Sequence, residues 1–591
     1  MSISEFFVRR PVMTGLVMIG ILFFGVFSYR LMPVAALPNV DFPTVEVTAS
    51  LAGASPETMA SSVATPLEKQ FSTIPGLDSL SSISVLGNTR ITLQFKLARD
   101  VDAAAQDVQS AISAAQRLLP QEMTVPPTFR KLNPADAAVF YLALTSETLP
   151  LFAVDEYAQT LLAQRLSTVS GVAQVSVFGS QKYAVRVRLD PRKLAARGIG
   201  LDEVEQAIRR QNVNLPTGIL QGPERMFTIQ ASGQLADAAA YGPLVVAYRN
   251  GAPVRLDELG EVADSVEEEK AGAWYNEDRG VVLAIFRQPG TNTVQVVDEI
   301  RRILPVFRTQ VPPGIKVDVL YDRSQSIRAS VQEVQFTLLL ALALVVMVIF
   351  LFLRNLSATI IPSLALPMSL IGTFSVMYLL GFSINNLSLL ALVLCVGFVV
   401  DDAIVMLENI ARHLEMGKTP MQATLDGSRE IGFTIVSMTL SLAAVFLPIV
   451  FMGGILGRLL SEFAVTIMVA VLISGFVSLT LTPLLCGRWL RPERARAQAS
   501  GAVFESVRRG YDASLRWVLR RQGLTLAGFL ALTGFTVWMF AASPKGFLPP
   551  EDTGRLFAFN EGAEDIAFPA MADKQALAAA KIRANPGVES V

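Results

Sequence analysis

The sequence predicts an α-helical polytopic membrane protein with a large α+β domain outside the cytoplasm. Three observations carry that expectation. The chain has 591 residues, 51% of them hydrophobic, and a mean hydropathy of +0.45, an average that soluble domains rarely reach. Seven stretches approach the ~20 apolar residues that a membrane-crossing helix needs. About 300 residues separate the first two of them, too many for a loop.

The stretches run Val12–Tyr29, Gln335–Leu353, Thr359–Leu380, Leu387–Leu407, Phe433–Met452, Phe463–Leu485 and Gly523–Ala542. Arg9 and Arg10 precede the first, as in a signal peptide. Its apolar core is long for one, and Leu31-Met32-Pro33-Val34 is a poor cleavage site, so an uncleaved span is favoured. Basic residues set the orientation. Arg9, Arg10, Arg354, Arg412, Lys418, Arg429 and the arginines of 488–521, among them Arg491, Arg494 and Arg496, mark the cytoplasmic side. Of the opposite turns, Gly381–Asn386 has no basic residue and Gly453–Glu462 only Arg458. Residues Leu31–Ser330 and those after Ser543 then lie outside the cytoplasm. Phe504, Val507, Tyr511, Leu515 and Val518 recur at helical spacing opposite arginines. That suits a helix on the inner-leaflet surface, with a soluble linker helix as the alternative.

The net charge is -1, with no long basic tract, which argues against nucleic acid as partner. Two cysteines, Cys395 and Cys486, lie in apolar stretches, so no disulfide framework is expected. The single histidine, His413, is read into a polar loop. A His/Cys metal centre has too few soft ligands, and no metal or cofactor is expected.

The outside domain repeats its pattern. Thr44–Leu51 alternates as a strand. Ser55 caps a helix to about Phe71, with Pro56 at its first position. Ser79–Val85 and Thr89–Lys96 form a hairpin turning at Gly87-Asn88, and Asp100 caps a helix to about Leu119. The cycle restarts with strand Val139–Leu144, helix Leu151–Val169 and strands Val172–Phe178 and Tyr183–Leu189. It resumes with strand Gly280–Arg287, helix Thr293–Phe307 and strand Ile315–Tyr321. Two tandem β-α-β-β-α-β units read as split βαβ, ferredoxin-like folds, the second interrupted between about Gln181 and Gly272. Inside the interruption, Asn214–Gln230 holds Pro216, Gly218, Gly222 and Pro223 and reads as a long hairpin, an arm toward another subunit.

Asp401 and Asp402 fall inside the fourth apolar stretch. Each carboxylate at the centre of a membrane helix costs roughly 2.5–3.5 kcal/mol on insertion scales, so carrying two suggests a use. A carboxylate that takes and releases protons is what proton-coupled transport needs. The structural alternative is a pair of edge acids that snorkel to the cytoplasm. Glu408 is nearly two turns on and shares a face with Asp401. It reads as an interfacial acid first and as a proton-path residue second. Pro362, Pro367, Pro448 and Pro483 interrupt spans three, five and six, a weak signal in membrane helices.

The run Gly397-Phe398-Val399-Val400-Asp401-Asp402-Ala403, continued to Glu408-Asn409, resembles the fourth-span signature of resistance–nodulation–division permeases. Phe6-Phe7-Val8-Arg9-Arg10-Pro11-Val12, Leu31-Met32-Pro33-Val34, Phe178-Gly179-Ser180-Gln181, Gly381-Phe382-Ser383-Ile384-Asn385 and Leu481-Thr482-Pro483-Leu484-Leu485-Cys486 resemble further motifs of that family, in order along the whole chain. The Asp-Asp pair resembles its hydrophobe/amphiphile efflux branch, whereas heavy-metal pumps usually show Asp-Gly. His413-Leu414-Glu415-Met416 and Phe451-Met452-Gly453-Gly454 resemble paired multidrug permeases that assemble as hetero-oligomers.

The resemblance implies a trimeric permease of the bacterial inner membrane, working by drug/proton antiport with a periplasmic adaptor (membrane fusion) protein and an outer-membrane channel. It implies drugs, detergents and bile salts as cargo. It implies a first transmembrane helix at 1–30, porter subdomains at 31–134 and at 135–180 with 273–330, and a docking subdomain at 181–272. Transmembrane helices 2–6 would occupy 331–490, a cytoplasmic linker with the interfacial helix 491–522, the seventh helix 523–542, and the start of a second periplasmic domain 543–591. Asp401 and Asp402 take the proton-relay positions. Phe178 and Tyr321 match two aromatic positions of the family's pocket; a third falls on Ala138, with Tyr141 close by. Family members have twelve spans in two halves, the second carrying a lysine that pairs with the aspartates, so the sequence is expected to be an N-terminal half. An intramembrane aspartic protease is disfavoured, because adjacent residues on one helix point about 100° apart. The tandem units disfavour a protein-export helper or a sterol-sensing receptor. A heavy-metal pump lacks its Asp-Gly here and a methionine–cysteine relay.

Overall fold

A computed structural model describes the chain except residues 1, 39–42, 124, 133–136, 214–217, 230–232, 354, 491–501, 547–553 and 564–565. The expected loop charges Arg354, Arg491, Arg494 and Arg496, and Asn214, Pro216 and Gln230 of the expected arm, lie outside the described residues. The chain divides into two compact units, Met1–Ala135 with Gln325–Ala558 and Asp136–Ser324 with Phe559–Val591.

Among the described residues, seven helices are long and apolar enough to cross a membrane: Pro11–Leu31, Arg323–Leu351, Leu356–Leu379, Asn386–Glu415, Pro420–Val450, Gly454–Trp489 and Gln522–Ala542. They are spans one to seven below. Several outrun their apolar stretches because their caps lie further out. The side chain of Asn355 accepts from Ser357 N, that of Asn385 from Ser388 N, and that of Thr419 from Gln422 N, each satisfying an orphan donor of a helix start. The fourth helix also runs on past the apolar stretch to Glu415 and carries His413 in its last turn, 9% exposed, rather than in a loop. Its Nε2 lies 2.7 Å from Glu430 and its Nδ1 3.1 Å from Lys418. Span six packs along spans three, four and five, around Cys395, Val396, Val399, Ile467, Ala470 and Val471. Span one approaches span three closely at Gly25, where a Cβ would sit 2.2 Å from the Ile371 carbonyl oxygen.

The first unit also holds an antiparallel sheet of β1 (Thr44–Ser50), β2 (Leu77–Val85), β3 (Asn88–Phe95) and β4 (Thr128–Leu132), in the order β2-β3-β1-β4. Ser55 caps a helix through Pro56–Thr58, Met59–Ala64 and Thr65–Phe71, its middle piece π-helical. Asp100 caps Val101–Ala115, accepting from Ala103 N at 2.8 Å. Both helices bury Met59, Leu67, Phe71, Val108 and Ile112 against Val45, Val47, Ile91 and Leu93.

The second unit repeats this order. Its strands are β5 (Phe140–Ser146) and β6 (Val172–Phe178), then β7 (Tyr183–Leu189), β8 (Ile219–Gln221), β9 (Met226–Thr228), β10 (Val245–Arg249), β11 (Ala252–Arg255) and β12 (Gly260–Val266), and lastly β13 (Ala273–Tyr275), β14 (Asp278–Arg287) and β15 (Ile315–Asp322). β13, β14, β5 and β15 lie in that order, with β6 also on β14. β7, which falls within the interruption expected from about Gln181 to Gly272, pairs with β12 in the segment inserted between β6 and β13. That segment has its own core of Leu194, Val204, Leu244, Leu256 and Leu259. Gly179, with φ +70°, starts the insertion where a Cβ would meet the returning chain at Ala273, 2.5 Å away.

Candidate functional site

Span four places Asp401 and Asp402 halfway along a 30-residue helix. Adjacent helical residues diverge by about 100°, and the structure resolves the pair accordingly. Asp402 turns inward and is only 5% exposed, whereas Asp401 faces outward. Glu408 is exposed as well, as its seven-residue spacing from Asp401 predicts. The Thr439 hydroxyl of span five donates to Asp402 Oδ2 at 3.1 Å. Ser474 of span six donates to the Val399 carbonyl at 2.7 Å, one turn before Asp402. Among the described residues the one charged neighbour of Asp402 is Asp401. Among the described residues the Thr439 hydroxyl is its one side-chain donor.

In the second unit the sheet's helix-covered face buries Phe140, Leu142, Leu144, Leu283 and Ile285. Strand pairing puts Phe178 opposite Val282, Val282 opposite Ala143, Ala284 opposite Tyr141, and Tyr141 opposite Tyr321. Directly paired residues share a face, so Phe178, Tyr141 and Tyr321 all stand on the face away from the helices. The two tyrosine rings meet edge-on at 6.1 Å. Phe178 is 52% exposed, two strands from Tyr141, roughly 10 Å across the sheet. Ala138, the third aromatic position of the resemblance, is buried.

The other motifs meet one another within their units. Val34 forms a parallel bridge with Ile384, so the chain leaving span one is stitched to the turn before span four. The Asn385 amide donates to Glu462 of span six at 2.6 Å and to Ser383 Oγ at 2.9 Å. Phe7 packs edge-on against Phe476 at 5.7 Å, and Thr14 donates to the Phe7 carbonyl at 2.7 Å. Gln181 is buried, donates to the Glu268 and Ala271 carbonyls and accepts from Arg279, closing the base of the insertion.

A profile of the AcrB/AcrD/AcrF family matches residues 3–591. The chain belongs to that family. Over 595 aligned positions it is 48% identical to the multidrug resistance protein MdtC of Pectobacterium atrosepticum, and equally so to those of Pectobacterium carotovorum and Salmonella paratyphi C. In each case the whole chain is covered, and 58% of the relative. The family is of the resistance–nodulation–division type, and among the described residues seven helices are long and apolar enough for a multi-pass membrane protein.

Sequence reasoning found the aspartates but not their neighbours. Thr439 lies among apolar residues of span five, and nothing in its local pattern marks it. Glu462 was read as the end of a turn, yet it sits inside the helix Gly454–Trp489 against Asn385. An acid within an otherwise apolar helix was the available signal.

Proposed function

We propose that the protein exports hydrophobic and amphiphilic compounds such as drugs, detergents and bile salts, driven by protons returning through the membrane helices. The observation that carries this reading is Asp402: a carboxylate buried halfway along a membrane span and hydrogen-bonded by the Thr439 hydroxyl of the next span. Such a group is free to gain and lose a proton, and each change alters the local charge that the helices pack around. Asp401 shares the relay from the outward side, with Glu408 a candidate on the path. The names of the MdtC relatives support multidrug cargo.

In this reading 31–134, and 135–180 with 273–330, are porter subdomains of split βαβ type outside the inner membrane. Their common strand order supports the assignment. Phe178, Tyr141 and Tyr321 contact cargo, since an open aromatic face suits flat apolar molecules. The insertion 181–272 docks subunits of a trimer, homo- or hetero-oligomeric; its β8–β9 hairpin exposes Ile219, Leu220, Met226 and Phe227. A periplasmic adaptor and an outer-membrane channel complete the assembly by analogy with the family.

The test is dye efflux under an imposed pH gradient in proteoliposomes holding the complete permease. Asp401→Asn and Asp402→Asn are each expected to abolish it while dye binding to the outside domain persists. Export at near wild-type rate by the double variant would overturn the relay.

A further inference from the structure

The Thr439 hydroxyl has one proton and two acceptors in reach: Asp402 Oδ2 at 3.1 Å and the Ile435 carbonyl of its own helix at 2.8 Å. It can donate to only one at a time. Span six closes the other side. A Cβ on Gly475 would lie 2.7 Å from Thr439 Oγ1 and 2.9 Å from its Cγ2, so only glycine lets the backbone of span six pass this close. The nearby Ser474 hydroxyl is committed to the Val399 carbonyl. Among the described residues no other side chain hydrogen-bonds Asp402, and Asp401 is the only charged group beside it.

We infer that Thr439 is a positioning residue of the proton relay, a hydroxyl that reverses its hydrogen bond with the protonation state of Asp402. This rests on the relay reading above. When Asp402 is ionised it is an acceptor only, and the charge-assisted bond draws the Thr439 proton to it. When Asp402 is protonated its own O–H donates to Thr439 Oγ1, and the Thr439 proton turns to the Ile435 carbonyl, the back-bond that threonines make in helices. In each state Thr439 and Asp402 keep one hydrogen bond to each other. The bond between spans four and five persists, but its polarity inverts, and in one state span five gains a side-chain bond on a carbonyl four residues back. The proton gained by Asp402 is thus registered on a second helix without a charge crossing between them.

The experiment measures initial dye-efflux rate against dye concentration in proteoliposomes under a fixed pH gradient, for the complete permease and for Thr439→Val, Thr439→Ser and Asp402→Asn, each normalised to inserted protein. Valine keeps the shape of threonine without its hydroxyl; serine keeps the hydroxyl without the methyl. Thr439→Val is expected to lower the maximal rate about tenfold or more, the worth of one hydrogen bond to a charged group, with the half-saturating dye concentration unchanged. Thr439→Ser is expected to stay within about threefold of wild type, because it retains that bond. If Thr439→Val is not recovered in the membrane, Thr439→Ala replaces it. A normal rate for Thr439→Val beside an inactive Asp402→Asn overturns this inference and leaves the relay standing. Equal losses in the valine and serine variants overturn it in favour of packing. An active Asp402→Asn removes the relay and this inference together.

Discussion

Two buried carboxylates, one in each kind of environment this chain builds, are held in opposite ways. Glu46 lies in the central strand β1 on the sheet face away from the helices, its side chain 6% exposed. Arg130 of β4 contacts it at 2.6 Å and Arg90 of β3 at 3.6 Å. Asp402 is as deeply buried, and among the described residues its one side-chain partner is the Thr439 hydroxyl. A carboxylate between two guanidinium groups from neighbouring strands holds three strands together. A carboxylate halfway along an apolar membrane helix is an expensive choice that packing alone does not explain. Burial of an acid therefore does not mark function by itself; burial halfway along an apolar membrane helix does.

The largest expected effect separates transport from stability. Asp402→Asn should reduce gradient-driven efflux to the level of empty vesicles yet leave thermal unfolding of the membrane region unchanged or slightly raised, since an amide is cheaper to bury than a charge. A marked fall in unfolding temperature would make Asp402 a structural acid like Glu46. The converse holds for Glu46→Ala. It strands two arginines, but both are half exposed and screened by water, so the loss should be about 1–2 kcal/mol. Thermal unfolding in detergent would show it, with efflux per folded molecule near normal. Efflux lost without a stability change would move Glu46 into the transport machinery.

The next contrast is between the two sheets, which share a strand order and differ on their open faces. The first presents Thr44, Glu46, Thr48, Arg90, Thr92 and Arg130; the second presents Phe178, Tyr141 and Tyr321 around Ala143 and Val282. One backbone plan thus carries two chemistries. Phe178→Ala should weaken export of large apolar dyes about fivefold, the worth of roughly 1 kcal/mol of lost aromatic contact, and small polar cargo less. An equal loss for every compound would assign Phe178 to folding or coupling instead.

Local chemistry made much of this readable in the sequence. Apolar runs marked every span, because a bilayer demands them, and Ser55, Asp100 and the turn at Gly87-Asn88 marked the elements of the first sheet. Partners distant in sequence were not readable. β7 was readable as a strand of the insertion, but its pairing with β12 closes across some seventy residues, and no local pattern encodes it. Thr439 was invisible for the same reason: its meaning lies in a helix crossing 37 positions away. The π-helical turns at Met59–Ala64 and Tyr157–Ala163 also left no trace in the apolar spacing.

The smallest expected effect comes from a third carboxylate that shares Asp402's kind of partner but not its burial. Asp264 of β12 accepts from the Tyr183 hydroxyl of β7 at 2.5 Å and from Ala238 N at 2.8 Å. Those bonds hold its carboxyl below the ordinary range, while the Tyr183 phenol is pushed up to about 12, first by its hydrogen bond to Asp264. The phenol's folded value lies above its unfolded one, so its contribution to stability is complete below about pH 10 and is lost as pH rises toward about 12. Asp264 behaves inversely: its contribution is present above the ordinary carboxylate range and is lost as pH falls through its lowered folded value. Near neutral pH neither group changes charge, so this pair cannot cycle protons as the transport reading requires of Asp402. Asp264→Asn should accordingly leave gradient-driven dye efflux within about twofold of wild type, since a neutral amide still accepts from the phenol. Ultraviolet titration should show the Tyr183 phenolate forming closer to pH 10 in that variant. If Asp264→Asn instead stopped export as Asp402→Asn is expected to, a hydroxyl-held carboxylate would matter in water as much as in the bilayer, and burial within a span would no longer distinguish Asp402.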